Sequence, residues 1–484
     1  MNGNDTICAL ATAPGGALAI IRVSGPQAFP IVSALSPVVG DASKRCDVVG
    51  DASKRCNIVG DESKHCPPIV HFTRLIAPVP AGSPAGQELI DEALVTIFRA
   101  PHSYTGEDTV EISCHGSSYI INKVLELLVQ NGCRMANPGE YTMRAYLNGK
   151  LDLSQAEAVA DLIASTNKAT HQLAMSQLRG GISTELSRLR EQLLKLTSLL
   201  ELELDFSDHE DLEFADRAEL LTLAQKIDAH ITHLADSFNT GNALKNGIPV
   251  AIIGAPNVGK STLLNALLGE ERAIVSDIQG TTRDAIEDTI QLGGITFRFI
   301  DTAGIRHTSD KIELMGIDRS IAAAQRARIV LMMTEPGVPY PNIPVRDDQT
   351  VITVINKSDL DTPCPVRCDS VAPPPIPISA KFNIGLDTLR QQLLDAAPKT
   401  PDNDVIVTNA RHYEALTRAH SHLHRVLDGL GAVNSPLTLH SSLPPDLVAE
   451  DLRLTLDTLA EITGGQITPQ ETLNNIFKLF CIGK

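Results

Sequence analysis

The sequence has no tryptophan, and aromatic residues fill only 4% of its 484 positions. An aromatic platform for stacking single-stranded bases is therefore poorly supplied. A cationic coat is missing as well: the formal net charge is −17, so the surface as a whole repels phosphate backbones, and any RNA contact must be local. No apolar run approaches the ~20 residues of a membrane span, and Met1 to Pro14 lacks a basic n-region and an unbroken apolar h-region. A cytoplasmic chain without a membrane segment is expected. The nine cysteines form an odd set, and Cys364 and Cys368 stand four apart without a matching second pair, which supports neither a disulfide framework nor a zinc site.

What is present is ordinary globular material, 43% hydrophobic and 20% charged, in a chain long enough for about three domains at ~100–200 residues each. Residues 1–150 carry strand-like runs at Ala17–Val23, Ala93–Phe98 and Thr109–Cys114 and a helical stretch from Ser117 to Gln130, and so read as an α+β domain. Within it Asp41-Ala-Ser-Lys-Arg-Cys46 recurs as Asp51–Cys56 and, varied, as Asp61–Cys66, a ten-residue period. Nothing there has tetrahedral ligand spacing and the copies are too short for a solenoid, so the repeat reads as a duplicated surface loop. Residues 151–245 are helical, with Leu186, Leu189, Leu193, Leu196 and Leu200 at three-to-four spacing, and helical patterns resume in 399–484 at Arg411–Leu430 and Leu447–Ile462. The segment between, 246–398, alternates strands and helices and looks inserted into a helical domain. Its prolines 373, 374, 375 and 377 suggest a loop. The expected fold class is thus multidomain α/β and α: an α+β domain, a helical bundle, and an inserted domain with a mostly parallel sheet.

The insert carries the chemistry. An apolar strand, Pro249–Ile253, runs into Gly254-Ala-Pro-Asn257-Val258-Gly259-Lys260-Ser261 and then the helical Thr262–Leu267, the order a P-loop demands. Its glycines let backbone amides approach phosphates, Lys260 neutralises β/γ oxygens, and the Ser261 hydroxyl can ligate Mg²⁺. A second strand, Ile295–Ile300, ends in Asp301-Thr302-Ala303-Gly304, whose carboxylate can reach the Mg²⁺ shell and whose Gly304 amide can meet the γ-phosphate. Val351–Ile355 leads to Asn356-Lys357-Ser358-Asp359, and Pro377 leads to Ser379-Ala380-Lys381. A carboxylate at Asp359 can accept from guanine N1–H and the 2-amino group, donors that adenine does not present. Taken alone, Asn356–Asp359 would also suit a helix cap; four motifs in order point to guanine. In translation-factor-like GTPases, which this stretch resembles, the residue matching Ala380 gives an amide to the guanine oxygen and that matching Lys357 lies along the ring. GTP binding and hydrolysis are expected.

Ile305 stands where the small GTPases place a water-orienting glutamine. The polar stretch Ser276–Asp284 suits a mobile switch that reaches Mg²⁺ through Thr282. With Asp5-Thr-Ile, Ile20-Ile-Arg-Val-Ser-Gly25, Tyr104-Thr-Gly-Glu-Asp108, Pro138-Gly-Glu140, Leu151-Asp-Leu-Ser-Gln-Ala-Glu157 and the terminal Cys481-Ile-Gly-Lys484, the chain resembles the MnmE (TrmE) tRNA modification GTPase family over nearly its whole length.

The resemblance implies a homodimer that acts with a flavin-dependent partner to place a carboxymethylaminomethyl-type group on the wobble uridine of certain tRNAs. It implies an amino-terminal domain that dimerises and binds 5-formyltetrahydrofolate or a related one-carbon folate, with Arg22, Glu111, Lys150 and Lys484 at the matching positions. The terminal Cys481, preceded by apolar Ile476, Phe477, Leu479 and Phe480, suggests a docked tail with its thiol held at a catalytic site; the bland readings make Cys481 a small hydrophobe at a packed helix end and Arg22 and Glu111 solvated strand faces. The resemblance further implies a bound K⁺, ligated by Asn257 and by switch oxygens at Ser276, Ile278 and Thr281, in place of an arginine finger. Glu313 matches the family's catalytic glutamate; otherwise it is a helix-start charge, and Asn257 a brace for the loop. The repeats at 41–66 and the loop-like Gly431–Pro445 depart from the family pattern. The alternative is a regulatory GTPase of ribosome assembly, which should append a basic RNA-binding module where this chain ends in a helical region and Cys-Ile-Gly-Lys.

Deleting one ten-residue copy, Asp51 to Gly60, is expected to leave the unfolding free energy and GTP turnover nearly unchanged, because surface loops tolerate length changes. Loss of several kcal/mol in a denaturant titration would show instead that the repeat packs.

Overall fold

The computed structural model describes residues 5–36, 38–39, 68–77, 88–205, 217–270, 288–300, 321–360, 374–398, 404–431, 445–465, 473, 476–478, 480 and 483. The ten-residue repeats and most of the Gly431–Pro445 stretch lie outside them. The chain divides into two compact units, 1–160 with 463–484, and 161–462.

In the first unit six strands, β1 (Ile7–Leu10), β2 (Leu18–Ser24), β3 (Ile69–Ala77), β4 (Glu88–Phe98), β5 (Thr109–His115) and β6 (Arg134–Met135), form one sheet in the order β3-β4-β5-β2-β1-β6. Every neighbouring pair is antiparallel except β1 and β6. Side chains alternate across a strand, so Ala19, Ile21 and Val23 of β2 and Val110, Ile112 and Cys114 of β5 enter one core with the helices Ala28–Leu35 and Ser118–Gln130. The same alternation turns Arg22 and Glu111 to the other face, and the register sets them opposite each other. Sequence reading missed β1, β3 and β6 and started β4 at Ala93. The acidic residues Glu88, Asp91 and Glu92 break the apolar alternation at its amino-terminal half, where β4 still pairs with β3 through a bulge at Leu75/Ile76.

In the second unit Leu186, Leu189, Leu193, Leu196 and Leu200 fall on one stripe of a single helix, Gly181–Asp205. They pack with Ile227, Ile231 and Leu234 of the helix Arg217–Asn246, Leu416 and Leu423 of the helix Ala410–Gly431, and Leu452 and Leu459 of the helix Pro445–Thr463. The intervening strands β7 (Ile248–Gly254), β8 (Asp288–Leu292), β9 (Ile295–Phe299), β10 (Ile329–Thr334), β11 (Thr350–Ile355) and β12 (Ile376–Pro377) take the order β12-β11-β10-β7-β9-β8. All neighbours are parallel except the β8–β9 hairpin. The helices Lys260–Glu270 and Leu386–Ala396 cover one face of this sheet, while Ala324 and Ala327 lie with Ala251, Ile253 and Val330 on the other. The expected mostly parallel sheet is therefore present. Pro377, expected in a loop, instead ends the short edge strand β12, where a residue without an N–H is tolerated.

The β8–β9 hairpin is tied to the helical part of the same unit. Asn167 caps the helix Lys168–Leu178 through Thr170 and donates from Nδ2 to Thr296 Oγ1 at 2.7 Å. Ala169 N donates to Gly294 O at 3.1 Å, and Gln291 Nε2 to Thr166 O at 3.0 Å. Among the described residues no helix is long and apolar enough to cross a membrane.

Candidate functional site

The loop between β7 and the helix Lys260–Glu270 is shaped by close approach. A β-carbon on Gly254 would stand 2.4 Å from Met333 O, and one on Gly259 would stand 2.3 Å from Asn356 Nδ2, so neither position admits a side chain without movement. Asn257 (φ 61°) and Gly259 (φ 97°) both take the left-handed conformation that turns the chain into the helix. Val258 is buried, Asn257 is exposed, Ser261 is half-buried and Thr262 is exposed in the first helical turn. Lys260 Nζ donates to Gly254 O and Ala255 O, both at 2.8 Å. Burial lowers its pKa by disfavouring the charged form. An ammonium resting on neutral carbonyls gains by exchanging them for phosphate oxygens, which fits a polyphosphate group in this loop.

The other side of the site hangs on Asn356, 4% exposed. Its Nδ2 donates to Val258 O at 2.8 Å, and its Oδ1 accepts from Ala380 N at 3.0 Å. One side chain thus joins the P-loop to the Ser379–Lys381 loop. Ser379 Oγ donates to Asp359 Oδ1 at 2.7 Å, while Asp359 itself is exposed at the edge where a base would sit. Lys357, at φ 60°, pairs with Glu335, and the Lys381 ammonium lies 5.3 Å from the Phe382 ring centroid. The fold therefore brings Asn257–Thr262, Asn356, Lys357, Asp359 and Ser379–Lys381 to the carboxyl ends of β7, β10, β11 and β12. Ligands of open α/β sheets bind in that crevice. Ser276, Ile278, Thr281, Thr282, Asp301, Thr302, Ala303, Gly304, Glu313, Cys481 and Lys484 lie outside the described residues.

In the first unit, Arg22 donates to Glu111 Oε1 from Nη2 at 2.7 Å and from Nε at 2.9 Å. Its guanidinium carbon is 5.4 Å from the Tyr104 ring centroid and 5.6 Å from that of Tyr141, within cation–π range. The buried Tyr141 hydroxyl donates to Arg22 O at 2.7 Å. Arg22 Nη1 also donates to Gly483 O at 3.4 Å, so a carbonyl of the terminal segment meets the same guanidinium. That segment is seated against Gly139, where a β-carbon would come 2.6 Å from Phe477 O and 2.9 Å from Phe480 Cβ. Lys150 Nζ donates to Pro101 O at 3.0 Å, and its stem passes Gly106, so it braces the loop that carries Tyr104. Behind this face Arg144 joins Asp5, Glu107 and Glu140, and Arg134 joins Asp5 and Glu140. Burial alone would raise the Glu140 pKa, but the bonds from Arg134 and Asn137 N outweigh it and hold the carboxyl below its usual range.

Sequence reasoning assigned no role to Glu335 or Tyr141. A lone acidic residue after an apolar strand and a tyrosine in an amphipathic helix carry no local signal of their partners.

A P-loop, a base-side loop hung from its asparagine, and a mostly parallel sheet between helices define a P-loop GTPase, a GTP hydrolase, set in a helical frame alongside an α+β unit. The description of the GTP-binding protein TrmE N-terminus matches residues 6–150, and that of the MnmE helical domain matches residues 153–481. The chain is 51% identical over 513 residues to the tRNA modification GTPase MnmE of Phocaeicola vulgatus, covering 100% of both chains. It is 50% identical over 498 residues to that of Bacteroides thetaiotaomicron, covering 99% of each. Against that of Porphyromonas gingivalis it is 47% identical over 501 residues, covering 99% of this chain and 98% of the other. The chain belongs to the MnmE tRNA modification GTPase family. Among solved structures the G domain of the T. maritima FeoB iron transporter matches at 20% identity over 31% of this chain and 99% of its own, with a TM-score of 0.21, too low to carry an argument.

Replacing Asn356 by alanine strips a partner from Val258 O and Ala380 N at once, and each buried group left unpaired costs about 1–3 kcal/mol. The prediction is a nucleotide-free protein destabilised by at least that much in urea and a GTP affinity at least tenfold weaker, by the relation of about 1.4 kcal/mol per decade. Parental stability and affinity in Asn356→Ala would show that the two loops are held by other means.

Proposed function

We propose that this GTPase is stimulated by potassium and that, with a flavin-dependent partner, it adds a carboxymethylaminomethyl-type group to the wobble uridine of certain tRNAs. The observation that carries the reading is the likeness at about half identity along the full length to relatives named tRNA modification GTPases, joined to a P-loop and a base-side loop that meet through Asn356. That likeness favours tRNA modification over ribosome assembly. In this reading Asn257–Thr262 wrap the phosphates and Lys260 moves from its carbonyls to the β/γ oxygens. Ser261 and Thr282 hold Mg²⁺, Asp301–Gly304 sense the γ-phosphate, and Asp359 with Ala380 reads guanine against Lys357, flanked by Ser379 and Lys381. K⁺ is held by Asn257, Ser276, Ile278 and Thr281 and supplies positive charge near the transferring phosphoryl group. Glu313 orients the attacking water.

In the amino-terminal domain, Arg22, Glu111, Lys150 and Lys484 hold a reduced formyl-folate in a homodimer, and Cys481 stands at the modification centre. The Arg22–Glu111 pair fits such a ligand: a carboxylate suits a ring N–H pair, a guanidinium suits a carboxylate tail, and both are already fixed on adjacent strands. The protein works in the cytoplasm.

Mass spectrometry of tRNA nucleosides from cells lacking the protein tests the substrate: wobble uridine without the modification is expected, and unaltered tRNA would overturn the reading. For the nucleotide half, turnover is expected to be much faster in K⁺ than in Na⁺ at equal ionic strength, with the difference removed by Asn257→Ala. Glu313→Ala should keep GTP binding and lose most hydrolysis. Equal rates in the two salts for the unmodified protein would end the potassium mechanism, whatever Glu313 does.

A further inference from the structure

Lys357 has a partner that nothing in the motif announces. Its ammonium pairs with Glu335 Oε2, and the two side chains stay 37% and 36% exposed. We propose that Glu335 is a positioning residue for guanine nucleotide, holding Lys357 where its aliphatic stem can cover one face of the base. The inference rests on the reading that Asp359 and Lys357 face guanine.

Both ends of the pair hang from ordered backbone. Lys357 is held at φ 60° between Asn356, bonded on two sides, and Ser358, whose N–H donates to Ile378 O at 3.0 Å. Glu335 follows β10 directly and opens a turn closed by Val338 N to Glu335 O at 3.1 Å and by Thr334 Oγ1 to Val338 O at 2.8 Å. Thr334 and Ile355 are register partners, so the two residues lie just beyond the ends of adjacent parallel strands, above the crevice where such sheets bind ligands. The remaining freedom is in the lysine stem. An unpaired ammonium is a compact, strongly hydrated charge on a flexible four-carbon chain, and it draws that chain towards water. A carboxylate beside it removes that pull and leaves the methylenes as an apolar lid. Such half-exposed pairs are individually weak, and the contact proposed is with the base and not with the transferring phosphoryl group, so a small effect on binding and none on the chemical step is expected.

The test uses the full-length protein with Mg²⁺ and compares the parent, Glu335→Gln, Lys357→Met, the double variant and Asp359→Asn for GTP affinity and steady-state hydrolysis. Glu335→Gln is expected to raise Kd and KM about three- to fivefold with kcat held, the range that a partly screened ion pair allows. The difference should shrink between about 0.1 M and about 1 M KCl as the Debye length falls. In the Lys357→Met background Glu335→Gln should do nothing more, the non-additivity expected of residues that act through each other. An unchanged KM, a loss confined to kcat, or additive losses in the double variant overturns the inference. If Asp359→Asn and Lys357→Met weaken GTP binding while Glu335→Gln does not, only the role of Glu335 fails. If those two also leave affinity intact, the base-reading proposal fails and this inference with it.

Discussion

The P-loop site depends on one primary amide. Asn356 presents a donor and an acceptor from a single planar group and spends them on Val258 O, 98 residues away, and Ala380 N, 24 residues away. A carboxylate has no N–H for Val258 and an alanine has neither group, so the joint can be made only by an amide of this length. The joint exists because β10 sits between β7 and β11 in parallel register, with Met333 beside Gly254 and Thr334 beside Ile355. Three strands then end at one edge, and Gly254 and Gly259 lack β-carbons where the loops close on Met333 O and the Asn356 amide. Phosphate-side and base-side loops are therefore tied together through one side chain. Binding has less ordering to do.

The amino-terminal domain reaches preorganisation by a different route. Its candidate pair is set by strand register, which puts Arg22 and Glu111 on the face away from the helices Ala28–Leu35 and Ser118–Gln130, and by two aromatic rings that flank the guanidinium. Tyr141 is supplied by the helix Glu140–Leu147, whose own place is fixed by Glu140 and Arg144 in a network with Asp5, Glu107 and Arg134. Ion pairs taken out of water return little net stability, because desolvation offsets their attraction. What this network supplies is alignment of the amino-terminal strand, the 101–108 loop and the helix behind Arg22. The terminal segment completes the arrangement by laying Phe477 and Phe480 against Gly139 and the Gly483 carbonyl against Arg22.

How much of this could be read from sequence follows from how local each signal is. The P-loop, the 356–359 and 379–381 motifs and the leucine stripe of the helix Gly181–Asp205 are short-range patterns, and the described residues give them the expected strand-loop-helix and helical settings. The strands β1 and β3 were missed because one is four residues long and the other inverts the usual alternation, with Val70 and Phe72 exposed and His71 and Thr73 on the more buried side. Tyr141 contacts a residue 119 positions earlier and Glu335 a residue 22 positions later, separations at which periodicity says nothing. Arg22 facing Glu111 follows from register, and register is set by which face is buried, something visible only once the helices are in place.

A chain of net charge −17 that is to hold phosphates must first keep its own cations from being spent in the wrong places. Three cations of the candidate sites, Arg22, Lys357 and Lys260, are handled in two ways. Arg22 and Lys357 are matched by carboxylates, Glu111 and Glu335, which fix their position and reduce their outward field. Lys260 is given only backbone carbonyls in a partly desolvated loop, so its charge is oriented but not neutralised, and burial makes that charge less comfortable than in water. A paired cation is held in a fixed direction, which suits a partner recognised by geometry, whether a flat ring or a carboxylate tail. An unneutralised one suits a polyphosphate, whose arrival relieves the desolvated ammonium. On the proposed reading, the division of partners between carboxylate and carbonyl would separate groups that orient a ligand from a group that draws in its charge.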